Sequence, residues 1–158
     1  MNNTLTASSK PKGLLKWAFS LPRYLYRWHL GWLLGRRFLM ITHLGRKSGR
    51  RRQTVLEVVS YDPATQECLV IAGYGVHSDW YRNIQVHPAI EVQIGCQRYT
   101  PQQRLFSSEE TMHLLEEYQR HHPRAFREII RFMGYAYDGT PEALHAISEI
   151  LRGVALHP

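Results

Sequence analysis

Hydrophobic positions change period twice along the chain, dividing it into a helical start, a strand-rich middle and a helical end. Leu21, Leu25, Trp28 and Trp32 recur at helical spacing with Arg23, Arg27 and Arg36 around them, and Pro22 suits a first turn. Residues 14–20 also read as helical, whereas residues 1–12 are small and polar and predict a disordered tail before one domain over 13–158. From Phe38 the period drops to two. Residues 38–41 are a short apolar run. Residues 54–61 alternate, with Val55, Glu57, Val59 and Tyr61 on one face and Thr54, Leu56, Val58 and Ser60 on the other. Asp62 and Pro63 turn the chain toward the apolar run 68–72, which predicts a hairpin. Gly73-Tyr74-Gly75 interrupts it, and Ser78 or Asp79 opens a short helix carrying Trp80, Tyr81 and Ile84 that Pro88 ends. Residues 89–94 and 98–105 predict a second hairpin about Gly95.

Helical spacing then returns. Ser107 and Glu110 have the spacing of a capping box, ahead of a helix with Met112, Leu115 and Tyr118 inward. Pro123 opens a second helix with Phe126, Ile129, Ile130 and Met133 apolar. Thr140 and Pro141 open a third through Leu144, Ile147 and Leu151, and residues 154–156 predict a last strand. The element order gives an α+β fold: an antiparallel sheet curled into a small barrel, with an N-terminal helix and C-terminal helices.

Charge adds a strong asymmetry. The 158-residue chain carries a net +7, yet residues 1–56 hold twelve Lys or Arg and no carboxylate. The remainder is acidic, with eight cations against thirteen carboxylates. A cationic third of this kind points to an anionic partner: a phosphorylated small molecule, an anionic membrane or nucleic acid. The Trp and Arg stripe over residues 21–36 fits a helix packed on the domain, with peripheral contact with anionic lipid as the alternative. Specific nucleic-acid binding is disfavoured, because these aromatics follow a helical stripe and form no strand platform for stacking bases. Cys68 and Cys96 lack metal spacing, and the nine histidines are scattered, so no metal site is expected. Unpaired thiols, no secretory signal and no run long enough to span a bilayer predict a cytoplasmic protein.

The densest candidate chemistry lies where the first apolar run meets the cations, in FLMITHLGRKSGRRR over 38–52. Gly45 and Gly49 bracket a turn carrying Arg46, Lys47 and Ser48, with Arg50, Arg51 and Arg52 just beyond. Charged donors and a hydroxyl on a tight turn can hold a phosphate, with guanidinium groups gripping oxygens in pairs. A solvated basic loop is the plainer alternative. The G-x-x-x-x-G-K-[ST] spacing is absent, which disfavours nucleotide hydrolysis.

Three stretches together resemble the deazaflavin-dependent nitroreductase family: ITHLGRKSGRRRQTVLEVV at 41–59, Gly73-Tyr74-Gly75 with SDWYRNI at 78–84, and HPAIEVQIG at 87–95. These are split β-barrel oxidoreductases that bind coenzyme F420 and are related in fold to FMN-binding split barrels. The resemblance covers the chain from about Pro22 to its end. It implies that Lys47 and Arg52, with the backbone around Ser48 and Gly49, hold the coenzyme phosphate, and that Arg46 contributes charge. It also implies that the backbone of Thr54, Val55 and Leu56, and of Ala72, Gly73 and Tyr74, approaches the deazaflavin ring. Trp80 and Asn83 match pocket positions, with Tyr81 in the same motif. On a helix, Trp80 and Asn83 share a face. The chain departs from the family in having Val55 where a proline is common and Glu57 where some members place an aromatic.

The implied reaction passes a hydride from reduced F420 to a small electron-poor acceptor: a quinone, an activated alkene or a nitro compound. FMN in the same barrel is the alternative cofactor. The cofactor carries the hard step, so the lack of a catalytic triad or carboxylate pair is expected. The accompanying proton would come from Tyr74, Tyr135, Tyr137 or solvent. Related split barrels are often dimers, so a homodimer is expected.

Overall fold

The computed structural model describes residues 35–158. The tail over 1–12 and the predicted N-terminal helix, with its lipid-facing alternative, lie outside the described residues. Seven strands form one antiparallel sheet: β1 (Phe38–Leu44), β2 (Arg51–Tyr61), β3 (Cys68–Ala72), β4 (Glu91–Ile94), β5 (Gln97–Tyr99), β6 (Gln102–Leu105) and β7 (Arg152–His157). Their order is β5-β4-β1-β2-β3-β7-β6. Among the described residues four α-helices accompany them: α1 (Asp79–Val86), α2 (Ser108–His121), α3 (Pro123–Phe132) and α4 (Pro141–Ile150).

The expected second hairpin requires a correction that explains the barrel. Residues 98–105 do not form one strand against β4. They split at Pro101 into β5, which pairs with β4, and β6, which pairs with β7. Proline has no N–H to give to a ladder, so the chain leaves one sheet edge there. Because β5 and β6 are consecutive yet stand at opposite edges, the short link between them draws the sheet into a barrel.

Inward-facing residues alternate along the strands as a half-buried sheet demands. Leu39, Ile41, Leu56, Val70, Val92, Ile94, Val154 and Leu156 form the interior, and α1 adds Trp80, Tyr81 and Ile84 to the same cluster. A bulge between Val58 and Ser60 shifts the register against β3. Tyr61 therefore rejoins the interior, correcting its predicted place on the face of Glu57 and Val59. Outside the barrel, Ile71 of β3 packs against a second core of Leu115, Phe126, Ile130, Leu144 and Ile147 from α2, α3 and α4.

The caps at Ser107 and Thr140 form as predicted, whereas Ser78 stands at the N-cap position of α1 without a side-chain cap bond. Ser107 Oγ accepts from the Glu110 amide at 3.1 Å, and Glu110 Oε2 accepts from the Ser107 amide at 2.9 Å. Thr140 Oγ1 caps α4 through the Ala143 amide. On α2 the inward row differs from expectation: Thr111 and Leu114 are buried alongside Leu115, while Met112 is half-buried. Thr111 can be buried because its hydroxyl donates to Ser107 O at 2.8 Å and accepts from the Gly153 amide at 3.1 Å.

Candidate functional site

β1 and β2 pair tightly up to the basic turn, with His43 opposite Arg52 and Leu44 opposite Arg51. The turn over 45–50 is closed by two backbone bonds, from the Gly45 amide to Arg50 O (2.9 Å) and from the Gly49 amide to Gly45 O (2.7 Å). β2 begins at Arg51, so the cation run spans both the turn and the strand. A Cβ at Gly45 would stand 2.6 Å from Ser48 Oγ and 3.0 Å from Arg52 Nε, so glycine is what lets these donors crowd over the turn.

α1 stands behind the turn and is held there at both ends. At its C-terminal end Gln103 of β6 bridges Ile84 O and the Ala89 amide, each at 2.8 Å. From the middle of the helix Asn83 Oδ1 accepts from both the main-chain amide and Nη1 of Arg46, each at 3.0 Å. Arg46 Nη1 also lies 3.0 Å from Asp79 Oδ1. Asn83 is 2 % exposed, and its Nδ2 lies 3.2 Å from His43 Nδ1. The other ring nitrogen, His43 Nε2, lies 3.2 Å from Thr54 Oγ1 on β2.

These contacts fix the proton positions. The two Arg46 donors claim the amide oxygen of Asn83, so its NH2 group faces His43 and donates. Nδ1 is then the acceptor, and Nε2–H donates to Thr54. Burial lowers the His43 pKa against the opposing effect of the Leu44 backbone, and the nearby Arg52 charge lowers it further. The ring is neutral at pH 7.

A cavity of about 350 Å³ opens between the turn and α1. Of the sequence-predicted residues, Arg46, Lys47, Ser48, Arg52, Thr54, Trp80 and Asn83 line it, although they come from three elements. Gly49 belongs to the same turn. The others lie elsewhere: Leu56, Ala72 and Tyr81 are in the barrel interior, and Val55 is half-buried on β2. Gly73 and Tyr74 follow the end of β3, where Gly73 borders a crevice of about 90 Å³ with Glu57 and Met133. The Glu57 carboxylate lies 3.5 Å from Arg37 Nε. Tyr135 and Tyr137 line a third cleft, with Arg127 and Arg131.

Tyr135 is buried and its hydroxyl donates to Gly73 O at 2.8 Å. Burial, and then the neighbouring Tyr74, raise its pKa. The Tyr135 proton is thus committed to holding the 73–74 segment. Tyr135→Phe should cost about 1 kcal/mol in urea unfolding and speed amide exchange around Tyr74. Wild-type values for both would remove this tether from the account.

Sequence reasoning missed His43 and Asp79. Both carried a signal: His43 continues the inward parity of Leu39 and Ile41 on β1, and Asp79 precedes Asn83 by one helical turn.

The donor set suits a phosphate. Arg46 is engaged by Asn83 and Asp79, whereas Lys47 and Arg52 are exposed and have no carboxylate partner among the described residues. Asp79, the only carboxylate on the cavity wall among the described residues, is neutralised by Arg46. Among the described residues no cluster of His, Cys, Asp and Glu could hold a metal, and no helix is long and apolar enough to cross a membrane.

The fold is shared with known proteins. An F420-H2 dependent reductase (FDR-A) superposes with a TM-score of 0.50 at 20% identity, covering 77% of this chain and 95% of that one. A chain described as a domain-swapped dimer superposes with a TM-score of 0.52 at 18% identity, covering 91% and 99%. A pyridoxamine 5′-phosphate oxidase-related, FMN-binding protein of Nostoc punctiforme aligns more loosely, with a TM-score of 0.48 at 19% identity over 96% and 82%. At these identities the likeness is one of fold, the split barrel. No curated protein matches the chain. The family described as F420H2-dependent quinone reductase matches residues 29–129, which run from before β1 into α3 and include the turn, α1 and the cavity between them. The chain therefore belongs to the F420H2-dependent quinone reductase family, and is an oxidoreductase whose coenzyme is the deazaflavin F420.

Proposed function

We propose that the cavity between the 45–50 turn and α1 holds the coenzyme phosphate, and that the enzyme reduces a small quinone with F420H2. The observation that carries this reading is the pair of cations without a carboxylate partner among the described residues, Lys47 and Arg52, beside the Ser48 hydroxyl on a glycine turn. Each charge-assisted bond to a phosphate oxygen contributes roughly 1.5–3 kcal/mol. Trp80 forms the apolar wall and is braced edge-on by Tyr81, with ring centroids 6.0 Å apart at 89°. The backbone of 54–56 and of 72–74 borders the region where the ring would lie. The bound coenzyme supplies the hydride. The chain supplies alignment of donor and acceptor, which can lower a barrier by up to about 7–11 kcal/mol. Tyr74, 39% exposed next to the Tyr135-held Gly73, and solvent are the sources of the accompanying proton. A homodimer fits this reading, supported by the similar fold described as a domain-swapped dimer.

Tryptophan fluorescence during F420 titration tests the site, and consumption of F420H2 on adding a benzoquinone tests the reaction. Quenching at micromolar coenzyme is expected, largely lost in Trp80→Phe, with oxidation requiring both enzyme and quinone. Tight binding of FMN or of an oligonucleotide at physiological salt, without F420 binding, would overturn the reading.

A further inference from the structure

We infer that His43 is a positioning residue for coenzyme binding, one buried ring whose Nδ1 sets the anion turn through Asn83 while its Nε2–H, bonded to Thr54, holds the tautomer that leaves Nδ1 an acceptor. This rests on the placement of the coenzyme phosphate proposed above. His43 is 2 % exposed at the floor of the cavity, and both of its nitrogens are already hydrogen-bonded, to two different elements. Through Nδ1 it orients Asn83, whose oxygen receives the main-chain amide and the guanidinium of Arg46. Arg46 is the residue just before Lys47, so fixing its amide fixes the direction in which Lys47 and Ser48 leave the turn. Through Nε2–H it holds Thr54, the first of the β2 residues expected beside the deazaflavin ring.

An apolar residue of similar size would fill the space and leave Asn83 Nδ2 buried without an acceptor. The amide could then turn, and its oxygen would no longer be reserved for Arg46. The neutral state of the ring is part of the device. A proton on Nδ1 would set two donors against each other, and the nearby Arg52 charge opposes it further.

The two ends of the imidazole can be separated by substitution. His43→Asn keeps an acceptor near the Nδ1 position, His43→Gln keeps an amide donor near Nε2, and His43→Leu keeps neither. F420 affinity should stay close to wild type in His43→Asn and fall about ten-fold in His43→Leu and His43→Gln. In the coenzyme-free protein, exchange of the Arg46 amide should accelerate in the same two variants. Nitrogen NMR of the wild type should show a neutral ring protonated at Nε2 at pH 7. Equal losses in Asn and Gln, or wild-type affinity and Arg46 exchange in Gln, would overturn the inference even if the leucine variant fails to fold. If wild-type protein does not bind F420 while Arg46 exchange still follows the Asn-against-Gln pattern, the coenzyme placement fails and the control of the turn by His43 stands.

Discussion

Replacing Lys47 and Arg52 together with alanine should weaken F420 binding by about a hundred-fold or more while leaving thermal unfolding near that of the wild type. Both side chains are exposed and neither has a carboxylate partner among the described residues, so their removal takes little from the folded state. Each lost charge-assisted bond corresponds to about a ten- to hundred-fold change in affinity. The two losses share one anion, so they need not add. Arg46→Ala should behave differently. It removes the guanidinium donor on Asn83 Oδ1 and the partner of Asp79, and should lower stability together with affinity. Titration of the double variant by fluorescence, beside its melting curve, gives the answer. Wild-type affinity in the double variant would move the phosphate away from this turn.

What was legible in the sequence was local. Caps announce themselves within four residues, so Ser107 with Glu110, Thr140 and the prolines at 123 and 141 marked three helices correctly. The basic turn and the W-Y-x-N segment were recognisable as short motifs, and the structure brings most of their side chains to one cavity. What escaped depended on partners distant in the chain. Pro101 marks a break, but only the pairing of β6 with β7 tells that the break joins two sheet edges. Tyr61 follows its alternation until a bulge against β3 shifts it by one position. The burial of Thr111, which the sequence does not announce, depends on the Gly153 amide 42 residues away. The same holds for His43 and Asn83, 40 residues apart, whose bond has no signature in either local segment.

Gly75→Ala should destabilise the protein more than any change at the cavity wall, by about 4 kcal/mol or more, in the range that marks severe core defects. Gly75 is buried at the start of the short turn Gly75–His77 that carries the chain from β3 into α1. Its φ is +50°, where a side chain is already strained, and a Cβ there would lie 1.6 Å from Ile150 O and 2.8 Å from Ile150 C. Backbone cannot step aside as a side chain can. Ile150 ends α4 and leads directly into β7, which stands between β3 and β6 in the sheet. Gly73 is the control: a Cβ there would meet Met133 Sδ at 2.5 Å, but that is the far end of a flexible side chain. Gly73→Ala should therefore cost about 1–3 kcal/mol as ordinary overpacking. Function should follow the backbone. Moving residues 73–78 displaces α1, and with it Asp79, Trp80 and Asn83, so any Gly75→Ala protein that folds should also bind F420 weakly. Urea midpoints for the two alanine variants separate the cases, and a Gly75→Ala midpoint at or above that of Gly73→Ala would refute the packing argument.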